Sequence, residues 1–277
     1  MPIFHPFHTP RGPRDSASAS MSQPDRYTTE RILEIQTVTP NLFRFRTTRY
    51  RGFRFIPGQF ARLGVAGAEG AIIWRAYSIV SASYDEHLEF FSIVVPGGAF
   101  TTRLAQLREG DEIFVEKMNY GFLTTDRFEG GRDLWMLSTG TGVAPFVSIL
   151  HEPGTWEQYD RIVLVHSVRQ VAELAYGETV EGFRQHECFG ELAHKLVYVP
   201  VVTREAHDSA LAQRIPELLE NGTLEVHTGV RLDREASRVM VCGNPEMVEE
   251  TRAWFIGRGF ELSRRSRPGH LALENLW

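Results

Sequence analysis

The stretch L-W-M-L-S-T-G-T-G-V-A-P-F, residues 134–146, constrains the fold of this chain most. Its four leading apolar residues predict a buried parallel strand, Ser138 to Gly142 a tight turn, and Val143 onward an apolar helix. Glycines let a backbone approach a ligand closely, and a helix start offers unpaired N–H groups to a phosphate. The order is that of a nucleotide-binding βα crossover, although the spacing is G-x-G followed by Ala-Pro rather than G-x-G-x-x-G. Taken alone, the glycine pair fits an ordinary strand–helix turn equally well.

The sequence after residue 131 alternates in the same way. Strands are expected at 134–137, 161–166, 195–202 and 238–242, with helices at 143–151, 172–183, 210–220 and 246–257. That is a parallel sheet with crossovers, in which ligands collect at the carboxyl ends of the strands. Arg169 follows the second strand, Thr203 and Arg204 the third, and Arg214 sits in the expected helix beyond. Three arginines at one crevice suit a phosphate monoester, the group that separates NADP from NAD; singly, each also reads as a solvated surface cation. Cys242, Gly243, Asn244 and Pro245 end the fourth strand, where the plain reading is a helix-entry turn.

The first half reads differently. Six short strands, at 31–38, 42–46, 60–65, 75–80, 87–95 and 112–116, are separated by turn signals and interrupted by one helix at 101–107. This predicts an antiparallel barrel. Arg75, Tyr77 and Ser78 place a cation, an aromatic ring and a hydroxyl along one strand, which is what a flavin nucleotide needs. Period-two geometry puts Arg75 and Tyr77 on one face and Ser78 on the other. The run from Gly97 to Thr102 precedes the lone helix and offers a second phosphate cradle, or a simple N-cap.

Composition narrows the class. The chain has 277 residues, enough for two domains, with 42% hydrophobic and 23% charged residues, as in soluble globular proteins. A net charge of −5 argues against a nucleic-acid binder. The ten histidines show no metal-ligand spacing, and two cysteines, Cys188 and Cys242, are too few for a disulfide framework or a Cys-ligated centre. No metal is expected, and a reducing cytoplasm is the expected compartment. No apolar run reaches the length of a membrane span. Residues 1–24 carry Pro, Ser, Gly, His and Arg without apolar period and read as a disordered extension, with Met21 as an alternative start.

In order along the chain, R-A-Y-S, P-G-G-A-F-T-T-R-L, T-G-T-G-V-A-P-F, V-H-S-V-R, V-T-R-E, Q-R-I-P-E-L, V-M-V-C-G-N-P-E-M and the terminal R-P-G-H-L-x-x-E-x-x-W carry a resemblance. From about Tyr27 to Trp277 the chain resembles the ferredoxin/flavodoxin–NADP⁺ reductases, in the bacterial branch that ends in an aromatic residue. The resemblance implies an antiparallel β-barrel FAD domain over residues 25–126. A parallel-sheet, Rossmann-like NADP domain would follow over 131–277, with the C-terminal tail returning to the FAD.

It further implies FAD held by Arg75, Ala76, Tyr77, Ser78, Phe91, Ala99, Phe100, Thr101, Thr102 and Thr141, and covered by Leu276 and Trp277. NADP would meet Thr139, Gly140, Thr141, Gly142, Arg169, Thr203, Arg204, Arg214, Cys242, Gly243, Asn244 and Pro245. Leu276 stands where many relatives carry an aromatic residue. Hydride would pass between the nicotinamide and flavin N5, with Ser78, Tyr77 and Cys242 closest to the reaction: a hydroxyl near N5, a stacking ring, and a thiol packed on the nicotinamide. Ferredoxin, flavodoxin or both would be the carrier, and a monomer is expected. Arg49, Arg51, Arg54, Arg264, Arg265 and Arg267 are locally basic and are expected to meet an acidic carrier. Two other readings fit the same architecture: a reductase for an oxygenase or for free flavin, and a non-enzymatic NADPH-sensing flavoprotein.

Overall fold

The computed structural model describes residues 26–208 and 210–275. The extension at 1–24, the alternative start at Met21, and the tail residues Leu276 and Trp277 lie outside them.

The first half forms β1 (Tyr27–Thr39), β2 (Leu42–Thr48), β3 (Phe60–Ala66), β4 (Ile72–Ser78), β5 (His87–Ile93), helix α1 (Thr101–Leu104) and β6 (Glu112–Tyr120). The strands lie in the order β4-β3-β6-β1-β2-β5, all antiparallel, and a bridge between Ile79 and Phe90 joins the two ends into the expected barrel. Register shifts at Ile32/Glu34 and Thr37/Thr39 bend β1, so that its first part pairs with β6 and its remainder with β2. Ile32, Phe45, Leu63, Leu88, Phe90 and Ile113 fill the interior.

The second half forms β7 (Asp133–Thr139), α2 (Ala144–Leu150), α3 (Pro153–Gln158), β8 (Arg161–Val168), α4 (Gly177–Gly182), β9 (Leu196–Val202), α5 (Ile215–Glu220), α6 (Thr223–Thr228), β10 (Ser237–Cys242), α7 (Pro245–Gly257) and β11 (Leu271–Glu274). The sheet is parallel throughout, in the order β11-β10-β7-β8-β9. Its central strands are apolar on both faces: Leu134 and Met136 enter one core, Trp135 and Leu137 the other, as a sheet covered on two sides requires. The chain lays β8 and β9 on one side of β7, then β10 and β11 on the other. Strand order therefore reverses between β7 and β10, which opens a crevice at their carboxyl ends.

Four expectations change. The helix at 101–107 is only Thr101–Leu104. The helix at 210–220 is only Ile215–Glu220, because Pro216 fits the first turn of a helix and not its interior. Leu211 bridges to Val201 instead, and Arg214 becomes the N-cap residue rather than a helical one. The helix at 172–183 divides into a turn at Val171–Glu173, α4, and a turn at Phe183–Gln185. Residues 271–274, read as part of a returning tail, are the fifth strand of the sheet.

Polar contacts fasten the halves. The Tyr176 hydroxyl donates to Glu89 Oε1 at 2.9 Å, and Arg46 Nε donates to Glu89 Oε2 at 2.8 Å, so this buried carboxylate is paired on both oxygens. Ser148 Oγ donates to the Ser81 carbonyl at 2.8 Å, and Ser83 Oγ to Glu152 at 3.0 Å.

Candidate functional site

A cavity of about 400 Å³ lies where the barrel meets the crevice between β7 and β10. Arg75, Ala76, Tyr77 and Ser78 of β4 line it together, both faces of the strand included. Phe91 stands beside them, and Ala99, Phe100 and Thr101 close one end. Thr141, Gly142 and Cys242 supply the wall from the parallel sheet. Thr102 is not part of the lining, nor are Thr139, Gly140, Gly243, Asn244 and Pro245, which sit one residue or more behind it in the two turns. Ser92, Ile93 and Val95 also line it and carry no sequence motif that announced them, and Gly98 and Ala144 line it from within the two glycine motifs.

The side chains divide by what they can do. The Tyr77 hydroxyl lies 3.0 Å from Ser92 Oγ, and its ring lies 5.5 Å from that of Phe100. Burial pushes this phenol up to about 12, so Tyr77 offers a ring face and not a proton. Ser78 is a buried residue whose hydroxyl makes no hydrogen bond among the described residues, which leaves it available to a ligand in the cavity it lines. Phe91 is backed by the edge of Tyr176 at 5.1 Å and 88°. Cys242 is buried and its thiol is pushed well above the ordinary value, first by desolvation and then by Glu274. A thiol so placed packs and does not attack.

Close backbone approach explains two glycines. A Cβ on Gly142 would stand 2.6 Å from the Cys242 carbonyl carbon and 2.8 Å from Gly243 Cα. Gly243 has φ +138°, and a Cβ there would meet the Thr139 carbonyl oxygen at 2.7 Å. The turns after β7 and β10 thus interlock, and the Asn244 N–H donates to Thr139 Oγ1 at 2.8 Å. Asn244 caps α7 with its side chain, accepting from the N–H groups of Glu246 and Met247.

At the far end of the crevice the Arg204 N–H donates to the Arg169 carbonyl at 2.9 Å, so the structure brings these two exposed residues side by side. The Thr203 hydroxyl is held by the Val168 carbonyl at 3.1 Å. Arg214 is turned toward α7, 3.2 Å from Glu250 and 3.8 Å from Glu246. Among the basic residues expected to meet a carrier, Arg49 is a structural clamp: its guanidinium donates to the carbonyls of Ser83, Asp85 and Phe53.

Sequence reasoning carried Glu274 only as a residue of the terminal motif and gave it no role. In register it stands beside Cys242, and its Oε1 lies 3.0 Å from where a Cβ on Gly121 would be, at the end of the barrel. Oε2 is buried with no partner among the described residues, and burial pushes the carboxyl up to about 8.

Comparison with known proteins places this geometry. The Oxidoreductase FAD-binding domain family matches residues 31–119, and the Oxidoreductase NAD-binding domain family matches residues 136–253. Ferredoxin–NADP reductase of Pseudomonas aeruginosa is 43% identical over 250 residues, which is 89% of this chain and 96% of that protein. This chain belongs to the ferredoxin–NADP reductase family. Within that family, flavodoxin/ferredoxin–NADP reductase of Escherichia coli is 35% identical over 252 residues, 91% of this chain and 99% of that one. A crystal structure of a ferredoxin NADP⁺ reductase from Neisseria gonorrhoeae, with bound FAD and NADP, superposes with a TM-score of 0.84 at 39% identity. It covers 91% of this chain and 99% of its own. The two-sheet architecture is therefore that of ferredoxin–NADP reductases.

Proposed function

We propose that this reductase-family protein exchanges electrons between NADP(H) and a one-electron carrier protein, ferredoxin or flavodoxin, through FAD. The observation that carries the reading is the cavity at the switch point. It is apolar over most of its wall, has a few polar groups, and is contributed jointly by the FAD-type barrel and the NAD-type sheet.

The residues present fit FAD. Tyr77 supplies a ring face held in place by Ser92, and Ser78 supplies a free hydroxyl. Arg75 is an exposed cation at the rim, suited to a pyrophosphate. At Gly98 a Cβ would stand 2.7 Å from Thr101 Oγ1, so the loop before α1 is kept narrow as a phosphate cradle requires. When bound, FAD accepts a hydride and releases electrons singly.

The protein's own work is positional. Tyr77 and Phe91 wall the ring site, and Ser78 fixes a polar edge. Thr141, Gly142 and Cys242 form the opposing wall for the nicotinamide, with Thr139, Gly140, Gly243, Asn244 and Pro245 holding that wall from behind. Arg169 and Arg204, joined through their backbones, receive the 2′-phosphate, and Arg214 joins them by leaving its carboxylate partners. Thr102 supports the cradle from outside the lining. Leu276 and Trp277 are proposed to cover the FAD from the tail. The domain limits proposed are 25–126 and 131–277.

An acidic carrier is proposed to meet Arg51, Arg54 and the exposed residues Arg264, Arg265 and Arg267. Arg265 lies over the half-exposed ring of Phe122, 5.8 Å from its centroid. A monomeric working unit is proposed. Cys188 and Cys242 are both unpaired, which supports a reducing cytoplasm. No described helix is long and apolar enough to cross a membrane. The test is partner-dependent turnover: with NADPH, the FAD-loaded protein should reduce ferredoxin or flavodoxin far faster than free FMN. Comparable rates with free FMN would favour a flavin reductase, and no reduction of any acceptor would favour a sensor.

A further inference from the structure

The carboxyl ends of the parallel strands place one row of side chains under the glycine turn. Register sets Glu274 beside Cys242, Cys242 beside Ser138, and Ser138 beside His166. Ser138 is spent on the sheet, its hydroxyl donating to the Val165 carbonyl at 2.9 Å. His166 is different. Its ring is fully buried, yet it reaches out of the row to the Gly140 carbonyl, with Nε2 3.0 Å from that oxygen. Gly140 has φ +54°, the left-handed conformation that turns the chain from β7 into the nucleotide crossover.

The hydrogen bond also fixes the ring's chemistry. A carbonyl only accepts, so Nε2 carries the proton and donates it. Nδ1 is buried and has no partner among the described residues. Burial lowers the imidazole to about 4, so the ring stays neutral at physiological pH. A buried ring with one unpaired nitrogen is a costly choice for a position where an apolar residue would fit the core. The feature it preserves is the bond to Gly140.

The turn is thereby gripped from two sides. Asn244, after β10, donates to Thr139 Oγ1, and His166, at the end of β8, donates to the Gly140 carbonyl. Thr141 and Gly142, the next two residues, form part of the cavity wall.

We propose that His166 is a positioning residue of the reductase, whose Nε2–H holds the glycine turn at the height where Thr141 and Gly142 seat the nicotinamide. The inference rests on the function proposed above. It assigns to His166 no contact with substrate or cofactor. Its effect falls on the approach of the nicotinamide and not on the adenosine phosphate, which is held at Arg169 and Arg204.

The test compares His166→Leu, which keeps the volume class and removes the donor, with His166→Gln, whose amide restores it. Three quantities are read: the rate of flavin reduction by NADPH in the FAD-loaded protein, the affinity for 2′-phospho-AMP, and amide hydrogen exchange over residues 139–144 without nucleotide. The leucine variant is expected to slow flavin reduction by about tenfold or more, since small misplacements of reacting groups cost that much. It should speed exchange in the turn and leave 2′-phospho-AMP affinity unchanged, while the glutamine variant recovers most of the rate. Wild-type rates and turn exchange in the leucine variant would overturn the proposal, as would equal losses in both variants. If the leucine variant does not fold, His166→Asn replaces it: its amide is too short to reach Gly140, so equal rates for Asn and Gln would overturn the proposal. A wild-type flavin that NADPH does not reduce would instead overturn the functional reading, and the exchange data would still decide whether His166 holds the turn.

Discussion

Glu274 carries a cost that grows with pH. Burial displaces its carboxyl from the ordinary 4.5 to about 8, and Oε2 has no partner among the described residues. At about 1.4 kcal/mol per pH unit, ionising it in place costs about 4–5 kcal/mol. The sign follows from proton counting. Below pH 4.5 folded and unfolded chains both hold the proton, and the group makes no difference. Between 4.5 and about 8 only the folded chain holds it, so stability falls as pH rises; above 8 the loss is complete. Glu274→Gln removes the ionisation and nearly preserves the shape. Relative to the wild type, the glutamine protein should therefore gain about 4 kcal/mol between roughly pH 5 and pH 9. For a chain of this size that is a change of about 10 °C in the difference between the two melting temperatures. Thermal scans of both proteins across that range, in one buffer series, measure it. A gap independent of pH, or one that favours glutamine more as pH falls, would refute the reasoning.

Three further outcomes are expected. Arg204→Ala should weaken NADPH binding by about 1.5–3 kcal/mol, the loss of a charge-assisted bond, and barely change NADH binding; titration with both nucleotides checks it, and equal losses would count against the phosphate site. Gly142→Ala forces a methyl group against the Cys242 carbonyl and Gly243 Cα, so it should cost about 1–3 kcal/mol by overpacking and slow flavin reduction by NADPH while FAD content stays normal. Carrier reduction should slow steeply with added salt, and Arg265→Glu should slow it at low salt with NADPH affinity unchanged; a salt-indifferent rate would argue against a basic docking face.

Both sheets were legible in the sequence because each wrote its own period. The barrel strands alternate, and the β7, β8 and β10 segments are continuous apolar runs, as one-sided and two-sided burial demand. The cavity's centre was legible for a similar reason: R-A-Y-S and T-G-T-G place their chemistry within four residues. What local pattern could not show was long-range apposition. Leu271–Glu274 is too short to display a period, so β11, and the place of Glu274 beside Cys242, emerge only from register with β10. His166 reads as the last residue of an apolar strand until the turn of the neighbouring strand is seen above it. Ile93 and Val95 line the cavity because the barrel meets the parallel sheet there, a fact held by neither stretch of sequence. Arg214 was legible as a cation, but its engagement with Glu246 and Glu250 required α7 in place.

The central claim is that one cavity, walled by the barrel and by the turns of β7 and β10, joins FAD to NADPH. Anaerobic titration of the FAD-loaded protein with NADPH and then NADH, followed by the visible flavin absorbance, tests it most directly. The account predicts complete bleaching by one equivalent of NADPH, a far weaker response to NADH, and recovery of the colour on adding oxidised ferredoxin or flavodoxin. A protein that binds no FAD, or a bound flavin that NADPH leaves oxidised, would contradict it.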